Sequence, residues 1–577
     1  MSRGGPAGRG FHVAQDRSWV ALSVLSCKKA RIRVIIIITF AAAAVVAARA
    51  VPVPGPAEAP PWVPDSGDGS YHNPVLFADY SDPDAIRVGS DFYLVASSFQ
   101  CAPGLPILRS PDLVNWTLVG HALPALTPAD HFASPRRGAG VWAPSIREHA
   151  GRFFIYYPDP DFGIFAVTAA APSGPWSAPV LVEGGRGLID PCPFWDDDGQ
   201  AYIVHGWARS RAGISNRLTL EHLSPDGLGV LPPARTIIDA ELMAGWRTLE
   251  GPKMYRRGEW YYIFAPAGGV TQGYQAVFRS RSPWGPYDNR VVLRQGSTPI
   301  NGPHQGAWVT APDGTDWFLH FQDRGAFGRV VHLEPLNWRA DGWPVIGSDP
   351  EGTGCGFPVA GGLKPVAIHL ASPLVPAASD AFDGPALAPQ WQWQSNPSPS
   401  WWSLTENPGH LSLRSTAPPG PNLGSSGALL LQKFAGPAFA ADTLLDFGGA
   451  APGDRAGLIV FGADYAWIGL RRTADGFSLV QSLCRASGTG ALETEAATLP
   501  SVPARVWLRV EVDAAAQCRF FWSVDGKSFA ALGSEFSTKP DLWVGAKVGL
   551  FAAAADSRIA GRADYDWFRM TRLVRNP

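Results

Sequence analysis

The feature that most constrains the fold is a hairpin pattern that recurs five times between residues 85 and 322. Each copy has a short strand that begins near Pro or Gly, a polar turn and an aromatic-rich strand. The turn tips lie roughly 50 to 60 residues apart, a spacing typical of one propeller blade per repeat. Because another strand pair follows each hairpin, the pattern predicts a five-bladed β-propeller with four strands per blade. A β-sandwich with coincidental spacing is the alternative, and it explains the fivefold recurrence poorly.

The second half of the chain predicts a separate all-β domain. Strands such as AGLIVFGADYAWIGLRR, RVWLRVEVD and AKVGLFA alternate and are separated by Asp-Gly or Ala-rich turns, a pattern typical of a β-sandwich. A chain of 577 residues is also long for one core. We therefore expect a propeller over 71–365, a linker over 366–378 and a β-sandwich of jelly-roll type over 379–577.

The first fifty residues have the composition of an export signal. Four basic residues between 28 and 33 precede the apolar run VIIIITFAAAAVVAA, and the stretch ends in ARA at 48–50, a small-x-small cleavage pattern. A single-pass anchor is the alternative, but the run is short for a membrane span. We therefore predict a signal peptide over 1–50, a Pro-rich linker over 51–70, and a secreted or periplasmic protein that is free of the membrane after cleavage.

Composition excludes some classes of partner. Lys plus Arg number 48 and Asp plus Glu number 50, so the formal net charge is −2, whereas a nucleic-acid binder normally shows a basic excess or patch. The six cysteines are widely spaced without a CxxC pair and predict neither a disulfide framework nor a zinc site. In an oxidising compartment, a disulfide between Cys484 and Cys518 is an alternative that the sequence leaves undecided. Nothing in the composition indicates an oligomeric state.

Three carboxylates stand at the openings of the repeats. Asp82, Asp190 and Glu250 precede the first strands of the first, third and fourth repeats, in SDPD, LIDPCPF and LEGPKM. Equivalent positions in a propeller converge at one end of its axis, where repulsion and partial burial push the pKa values of carboxyl groups apart. One group is then suited to remove a proton and another to donate one. A lone Asp-Pro pair usually marks a turn, but a turn does not explain the recurrence.

Several motifs in the same order resemble glycoside hydrolase family 43, the inverting β-xylosidases and α-L-arabinofuranosidases. The resemblance covers about 73–347 and rests on NPVLFADYSDPDAIRVG, GVWAPSIREHAGRFFIYY, LIDPCPFWDDDGQAYIVHG, LEGPKMY and DGWPVIG. It implies a five-bladed propeller with a pocket at its axis and no required cofactor. The region from residue 379 is similar to the concanavalin-like C-terminal domain of many family 43 β-xylosidases, which packs against the propeller and can lend a loop to the pocket mouth.

The resemblance implies a role for each carboxylate. Asp82 matches the general base, Glu250 the general acid, and Asp190 the third carboxylate, which orients the acid and tunes its pKa. In an inverting hydrolase the base deprotonates a water on one face of the sugar while the acid protonates the leaving oxygen on the other, with the two groups about 6.5–9.5 Å apart. Retaining propellers of the invertase type are the alternative, but they place a nucleophile in an Asn-Asp-Pro turn, and Ser81 precedes Asp82 here.

Four further residues match positions near the sugar. Phe99 and Trp142 match pocket-wall residues, and Arg329 matches an arginine that reaches toward the bound sugar. His304 matches an axial histidine that sits beside a bound calcium or sodium ion in many members, with a buried structural histidine as the alternative. The run DDDG at 196–199 lacks the ligand spacing of a calcium loop and is better explained as a hairpin tip.

Departures from the β-xylosidase pattern leave the preferred pentose open. Cys101-Ala102 replaces aromatic residues, Ala267-Gly268-Gly269 replaces Glu-Gly-Gly, and Gly273 replaces a histidine, while Asp84, where Ser is common, is expected to brace its turn. We expect a glycosidase that removes terminal β-D-xylose or α-L-arabinofuranose from plant-wall oligosaccharides such as arabinoxylan fragments. An endo-acting arabinanase or xylanase, and a non-catalytic carbohydrate-binding propeller, are the alternatives.

Overall fold

Five four-stranded antiparallel sheets make up the first domain, which is a β-propeller as the repeats predict. The computed structural model describes residues 59–555 and 561–573. The predicted signal peptide and the first residues of the predicted linker lie outside these ranges. Within them, no helix is long and apolar enough to cross a membrane.

The strands of each blade follow one another in chain order. A short strand, β1 (Ser70–His72), precedes the blades. Blade 1 contains β2 (Asp84–Val88), β3 (Asp91–Val95), β4 (Gly104–Ser110) and β5 (Thr117–Leu123). Blade 2 contains β6 (Ser145–His149), β7 (Arg152–Asp159), β8 (Gly163–Ala169) and β9 (Val180–Gly184). Blade 3 contains β10 (Leu188–Trp195), β11 (Ala201–Trp207), β12 (Arg217–Leu223) and β13 (Val230–Asp239).

The last two blades complete the ring. Blade 4 contains β14 (Lys253–Arg257), β15 (Trp260–Ala267), β16 (Tyr274–Ser280) and β17 (Asp288–Leu293). Blade 5 contains β18 (His304–Thr310), β19 (Asp316–Asp323), β20 (Arg329–Trp338) and β21 (Pro344–Ile346). In β8, GIFAVTA, every residue is buried, because both faces of a middle strand pack against neighbouring blades.

The hairpin tip of blade 3 confirms the interpretation of DDDG. Strand β10 ends and β11 begins on either side of this run, and Oδ1 of Asp198 accepts a hydrogen bond from the backbone N–H of Gln200 at 2.9 Å. Asp196 pairs with Arg256 of the next blade. The run therefore forms a turn and a contact between blades.

The ring is closed by residues from both ends of the domain. β1 pairs with β22 (Gly361–Leu363) in a two-stranded antiparallel sheet, and Leu76 bridges to Val331 of β20. Part of the predicted N-terminal linker packs here as well, because Nζ of Lys364 pairs with Asp65 at 2.8 Å. The chain thus fastens blade 5 to the segment that enters blade 1.

The second domain is a β-sandwich of two antiparallel sheets. One sheet has the order β23-β26-β36-β28-β29-β30-β31. The other has the order β24-β25-β37-β27-β32-β33-β34, with β35 also paired to β33. The strands are β23 (Gln392–Trp393), β24 (Trp402–Ser403), β25 (Leu411–Arg414), β26 (Leu429–Lys433), β27 (Phe439–Gly449), β28 (Arg455–Phe461), β29 (Tyr465–Arg472), β30 (Phe477–Cys484), β31 (Thr494–Val502), β32 (Arg505–Val512), β33 (Gln517–Ser523), β34 (Ala530–Ala531), β35 (Phe536–Ser537), β36 (Lys547–Ala553) and β37 (Arg562–Arg572).

Helical structure is limited to single turns in the described ranges. The one α-helical turn is α1 (Arg209–Ala212). The 3₁₀ turns are His131–Ala133, Ala240–Leu242, Gly325–Phe327, Pro399–Trp401, Leu423–Ser425 and Ser487–Thr489.

The possible Cys484–Cys518 disulfide is not formed. Both cysteines are free and buried. Cys518 Sγ lies 2.9 Å from Oγ1 of Thr538, and Cys484 Sγ lies 3.3 Å from the carbonyl oxygen of Ala491. Each thiol therefore has its own polar neighbour, and the pairing that the sequence left open is absent.

Candidate active site

In four blades a residue with left-handed backbone lies just before the inner strand or within its first three residues. Asp82 (φ 54°), Asp190 (φ 56°), Gly251 (φ 60°) and Gln305 (φ 43°) occupy this position in blades 1, 3, 4 and 5. Such φ values are uncommon for residues other than Gly and concentrate where structure serves function. Glu250 precedes Gly251, so it stands one residue earlier than the two aspartates do in their blades.

The turns bring the three predicted carboxylates into one pocket, together with Phe99, Trp142 and Arg329. We call it the axial pocket, and its lining residues are Asp82, Phe99, Trp142, Ala143, Ile189, Asp190, Glu250, Val270, Gln305, Arg329 and Trp543. His304 does not line it but contacts Glu250 from behind. Acidic groups and aromatic faces therefore converge at one place.

Asp82 is buried and firmly oriented. Nη1 of Arg329 donates to both of its carboxylate oxygens, at 2.9 and 3.1 Å, and Oγ of Ser97 donates to Oδ2 at 2.6 Å. Charge-assisted hydrogen bonds of this kind fix a carboxylate in one orientation. Arg329 therefore lies in the pocket as predicted, and in this structure its guanidinium binds the predicted base.

Asp190 has a strongly perturbed carboxyl group. Burial, and then repulsion from Glu250 and Asp82, raise its pKa to about 8, against the opposing effects of the Gly251 N–H and of Lys253. Oδ2 of Asp190 accepts a hydrogen bond from the Gly251 N–H at 2.7 Å. A Cβ at Gly251 would lie 2.8 Å from Cδ of Gln305. The glycine is therefore needed for the backbone next to Glu250 to form this hydrogen bond with Asp190.

Glu250 is the more accessible member of the predicted acid and base pair. Its side chain is 25% exposed, against 7% for Asp82. Oε1 of Glu250 lies 3.0 Å from Nε2 of His304, whose ring is fully buried beside Phe321. An acid that must reach a leaving group needs this exposure.

His304 is packed against the predicted acid. Nε2 contacts Glu250, and Nδ1 is buried without a hydrogen-bond partner in the described part of the chain. Across the described residues, the grouping of three or more metal-ligating side chains lies elsewhere and does not include His304. The axial ion stays a prediction, and no catalytic step below involves it.

A buried lysine provides a fixed positive charge on the inner strands. Lys253 on β14 is fully buried, and its Nζ donates to the carbonyl oxygen of Pro144 at 2.8 Å and to Oγ of Ser145 at 2.7 Å. Its proximity lowers the pKa of Asp190, although burial and the other carboxylates outweigh it. The ammonium therefore links blades 2 and 4 and acts electrostatically on the pocket.

Three aromatic side chains form the pocket wall. Phe99 and Trp142 have ring centroids 6.3 Å apart, and Trp142 and Trp543 have ring centroids 6.1 Å apart. Trp543 comes from the loop between β35 and β36 of the sandwich and is 44% exposed. Such faces suit the apolar faces of a sugar ring. The expected loop from the second domain thus reaches the pocket.

Asp79 fastens the sandwich loop to the propeller. Its Oδ1 accepts from the backbone N–H of Arg329 at 2.9 Å, and its Oδ2 accepts from the backbone N–H of Gly545 at 2.9 Å. A Cβ at Gly545 would lie 2.8 Å from Cα of Gly328, so the two backbones approach closely. Trp543, two residues from Gly545, is held at the pocket by this contact.

Asp84 braces a different element from the one expected. It is fully buried, and its Oδ2 accepts from the backbone N–H of Ile146 at 2.8 Å and from Nη1 of Arg147 at 2.6 Å. Both partners belong to blade 2. Asp84 therefore connects two blades rather than bracing its own turn.

Sequence reasoning missed several pocket residues. Gln305 follows the same turn geometry as Asp82, and its Nε2 is buried without a partner in the described residues; comparison of the blade openings would have found it. Ser97 and Lys253 are visible only through their contacts. No local pattern distinguishes Trp543 from other tryptophans.

Two known families match the chain. The family described as Glycosyl hydrolases family 43 matches residues 71–344. The family described as Beta xylosidase C-terminal Concanavalin A-like domain matches residues 379–571.

Individual relatives match over most of their length. A β-xylosidase of Formosa agariphila is 32% identical over 554 residues, covering 87% of this chain and 90% of the relative. A non-reducing end α-L-arabinofuranosidase of Bacteroides ovatus is 30% identical over 534 residues, covering 86% of this chain and 94% of the relative. The crystal structure of a xylan β-1,4-xylosidase from Bacillus halodurans matches with a TM-score of 0.75 at 25% identity, covering 87% of this chain and 100% of that one.

Proposed function

The chain belongs to glycoside hydrolase family 43, and from this premise we propose that it removes terminal pentoses, β-D-xylose or α-L-arabinofuranose, from plant-wall oligosaccharides by an inverting single displacement. That the protein is a glycoside hydrolase follows from the family and from its relatives. The observation that carries the finer proposal is the convergence of Asp82, Asp190 and Glu250 in one pocket with an aromatic wall.

The proposed chemistry assigns one proton transfer to each side of the sugar. Asp82, oriented by Arg329 and Ser97, takes a proton from a water whose oxygen bonds to the anomeric carbon. Glu250 gives its proton to the glycosidic oxygen as the bond from that oxygen to the anomeric carbon breaks. The configuration at the anomeric carbon inverts. Family 43 enzymes generally need no cofactor.

Asp190 serves this reaction without contacting the reacting atoms. Its pKa is raised to about 8, so near neutral pH it is mainly protonated and adds little negative charge beside the acid. Through its hydrogen bond to the Gly251 N–H it also fixes the backbone next to Glu250. We assign it the role of positioning and tuning the acid.

The shape of the pocket supports action on terminal sugars. Trp543 from the sandwich stands against Trp142 of the propeller, so a second domain narrows the mouth. A single pentose ring can pack against these aromatic faces while its glycosidic oxygen faces Glu250. An endo-acting enzyme would instead need a groove open at both sides for a continuing chain.

The substrate class is proposed from two kinds of support. The relatives named above include a β-xylosidase and an α-L-arabinofuranosidase, and the departures at 101–102, 267–269 and 273 leave either pentose acceptable. Both sugars are terminal groups of arabinoxylan fragments. The non-catalytic carbohydrate-binding alternative is set aside, because the family and the relatives support a hydrolase.

The test is hydrolysis of nitrophenyl β-D-xyloside and nitrophenyl α-L-arabinofuranoside. Glu250→Gln and Asp82→Asn should each lower the rate by about 10²–10⁴-fold, the contribution typical of acid–base catalysis. Glu259→Gln in blade 4, whose side chain is 76% exposed, is the matched control and should keep the wild-type rate. Full activity in either pocket variant would refute the roles.

Stereochemistry and cleavage pattern are tested separately. An NMR time course that shows first-formed pentose of inverted configuration supports the single displacement, and retained configuration contradicts it. Release of single pentoses from arabinoxylan oligosaccharides supports exo action, whereas internal fragments without free pentose contradict it.

Export is proposed from the N-terminal composition alone. The basic residues and the apolar run before residue 50 predict cleavage near ARA at 48–50. Expression of the full chain in a bacterial host, followed by fractionation and N-terminal sequencing, should give a secreted or periplasmic protein that begins close to residue 51. A full-length protein retained with the membrane would contradict this.

A further inference from the structure

Three metal-ligating side chains meet between blades 2 and 3, away from the axial pocket. They are Glu183 on β9, His205 on β11 and Glu221 on β12, and one donor atom of each lies within 4.8 Å of the others. His205 is fully buried, Glu221 is 5% exposed, and Glu183 is half-buried. None of the three lines the axial pocket.

The histidine directs its Nε2 ring nitrogen, an atom that can bind a metal ion, toward the two carboxylates. Its Nδ1 lies 3.0 Å from the carbonyl oxygen of Gly206, and because a carbonyl only accepts, the hydrogen sits on Nδ1. Its Nε2 faces Oε1 of Glu221 at 3.7 Å, too far for a hydrogen bond. A backbone carbonyl that fixes the tautomer in this way is the usual support of a metal-binding histidine.

The three facing atoms lack hydrogen-bond partners in the described residues. They are Nε2 of His205, Oε1 of Glu221 and Oε2 of Glu183. Buried polar atoms are nearly always paired, and each exception needs an explanation. The Glu183 and Glu221 carboxyl groups are close enough to hydrogen-bond each other if one of them carries a proton, and a shared cation is the other way to satisfy all three atoms.

The two carboxylates have no Lys or Arg partner. Among the described residues, neither Glu183 nor Glu221 forms an ion pair with either type of side chain, and the neighbouring basic group is His205. A cation bound between the carboxylates would neutralise their mutual repulsion.

We propose that Glu183, His205 and Glu221 form a binding site for a divalent transition-metal ion, with Zn²⁺ as the preferred ion. Imidazole nitrogen and carboxylate oxygen are both zinc ligands, whereas Ca²⁺ and Mg²⁺ take oxygen ligands. Zinc bonds of about 2.0–2.2 Å in a tetrahedron set ligand atoms about 3.4 Å apart, close to the 3.7 Å between His205 and Glu221. The cysteine spacing predicts no zinc site, and this one uses no cysteine.

The position of the site indicates a structural role. β9 is the outer strand of blade 2, whereas β11 and β12 are middle strands of blade 3, so a bound ion joins two blades. His205 is also followed by Gly206, where a built Cβ would lie 3.7 Å from Cα of Glu250. The ion would therefore hold the strand on which the backbone of the acid rests, without contacting substrate.

The experiment measures metal binding by the untagged, full-length mature protein after treatment with EDTA. Equilibrium dialysis against micromolar ZnCl₂, MnCl₂ or CaCl₂ at neutral pH, with elemental analysis, should find one equivalent of zinc, weaker manganese binding and no calcium at this site. Co²⁺ substitution should give a visible absorption band of a four-coordinate nitrogen and oxygen site. Zinc should also raise the Tm.

Two variants make the assignment specific. Glu183→Gln and Glu221→Gln should each weaken zinc binding at least about tenfold, since each removes one of three ligands, and should abolish the zinc-dependent rise in Tm. Glu241→Gln, whose side chain is 44% exposed and pairs with Arg209, is the control and should bind zinc as the wild type does. Because Glu183 is half-buried, its variant remains informative if the Glu221 variant fails to fold.

Two results would overturn the proposal. A wild-type protein that binds no zinc at micromolar concentration would mean that a proton shared by the two carboxyl groups satisfies the cluster. Unchanged zinc binding by Glu183→Gln would place the ion elsewhere. Neither result bears on the hydrolase roles, which are measured by the activity of the axial-pocket variants.

Discussion

Replacing Asp190 with Asn should make the protein more stable near neutral pH. The pKa of Asp190 is raised from its ordinary 3.8 to about 8 in the folded protein. Above its ordinary pKa the unfolded chain releases this proton, but the folded chain keeps it up to about pH 8. Stability is therefore lost progressively as the pH rises from about 4 to about 8 and is level beyond that.

The size of the effect follows from the distance between the two pKa values. Each pH unit above the ordinary pKa of Asp190 lowers the free energy of unfolding by about 1.4 kcal/mol. Relative to low pH, the wild type therefore loses about 4 kcal/mol at about pH 7 and between about 1 and 2 kcal/mol at about pH 5. Asn resembles the protonated carboxyl, takes up no proton, and can still accept the hydrogen bond from the Gly251 N–H. The variant should therefore gain about 3 kcal/mol relative to wild type between these two pH values.

The assay measures thermal and guanidinium unfolding of wild type and Asp190→Asn at about pH 4, 5, 7 and 9, and compares the transition in which the propeller unfolds. The internal control is about pH 4, where the carboxyl is largely protonated in both states and the proteins should nearly coincide. Because Asn resembles the protonated carboxyl, the rate on aryl pentosides near neutral pH should fall less in this variant than in Glu250→Gln. A stability difference that does not grow between about pH 5 and 7, or a variant less stable throughout, would refute the reasoning.

Three further predictions concern the rest of the pocket. Trp543→Ala should raise KM for aryl pentosides about tenfold with little change in Tm, since the side chain is 44% exposed; an unchanged KM would contradict its place in the wall. Arg329→Lys should lower kcat at least about tenfold, because the lysine side chain ends one atom short of Nη1, the nitrogen that donates to both oxygens of Asp82; wild-type kcat would contradict this. Lys253→Met should raise the pKa of Asp190 further, because the ammonium lowers it, so that stability keeps falling to a higher pH than in wild type; an unchanged stability profile in a folded variant would contradict the electrostatic role.

The fold and the carboxylates were predictable because each repeat contains its own information. The hairpin pattern is local, so counting its copies gives the five blades. Asp82 and Asp190 share the same turn, in which a Pro follows the Asp. The one-residue offset of Glu250 was not predictable, since it depends on Gly251 taking the left-handed position in blade 4. The sequence shows the residue but not its φ.

Contacts between distant segments account for what sequence reasoning missed. Trp543 reaches the pocket through packing of one domain on the other, which no nearby residue pattern specifies. Glu183, His205 and Glu221 lie on three strands of two blades, and their spacing matches no metal-binding motif. His304 illustrates the reverse case: the resemblance identified the residue, while the structure places its Nε2 against the acid.

The hydrogen bond from Gly545 to Asp79 spans 466 residues of sequence, and this has a consequence for biosynthesis. A ribosome completes the propeller long before it makes the loop that carries Trp543. The nascent enzyme therefore has all three carboxylates but an unfinished sugar site until almost the last strands have been synthesised and have docked. Hydrolytic activity should then appear late in synthesis, only after both domains are complete.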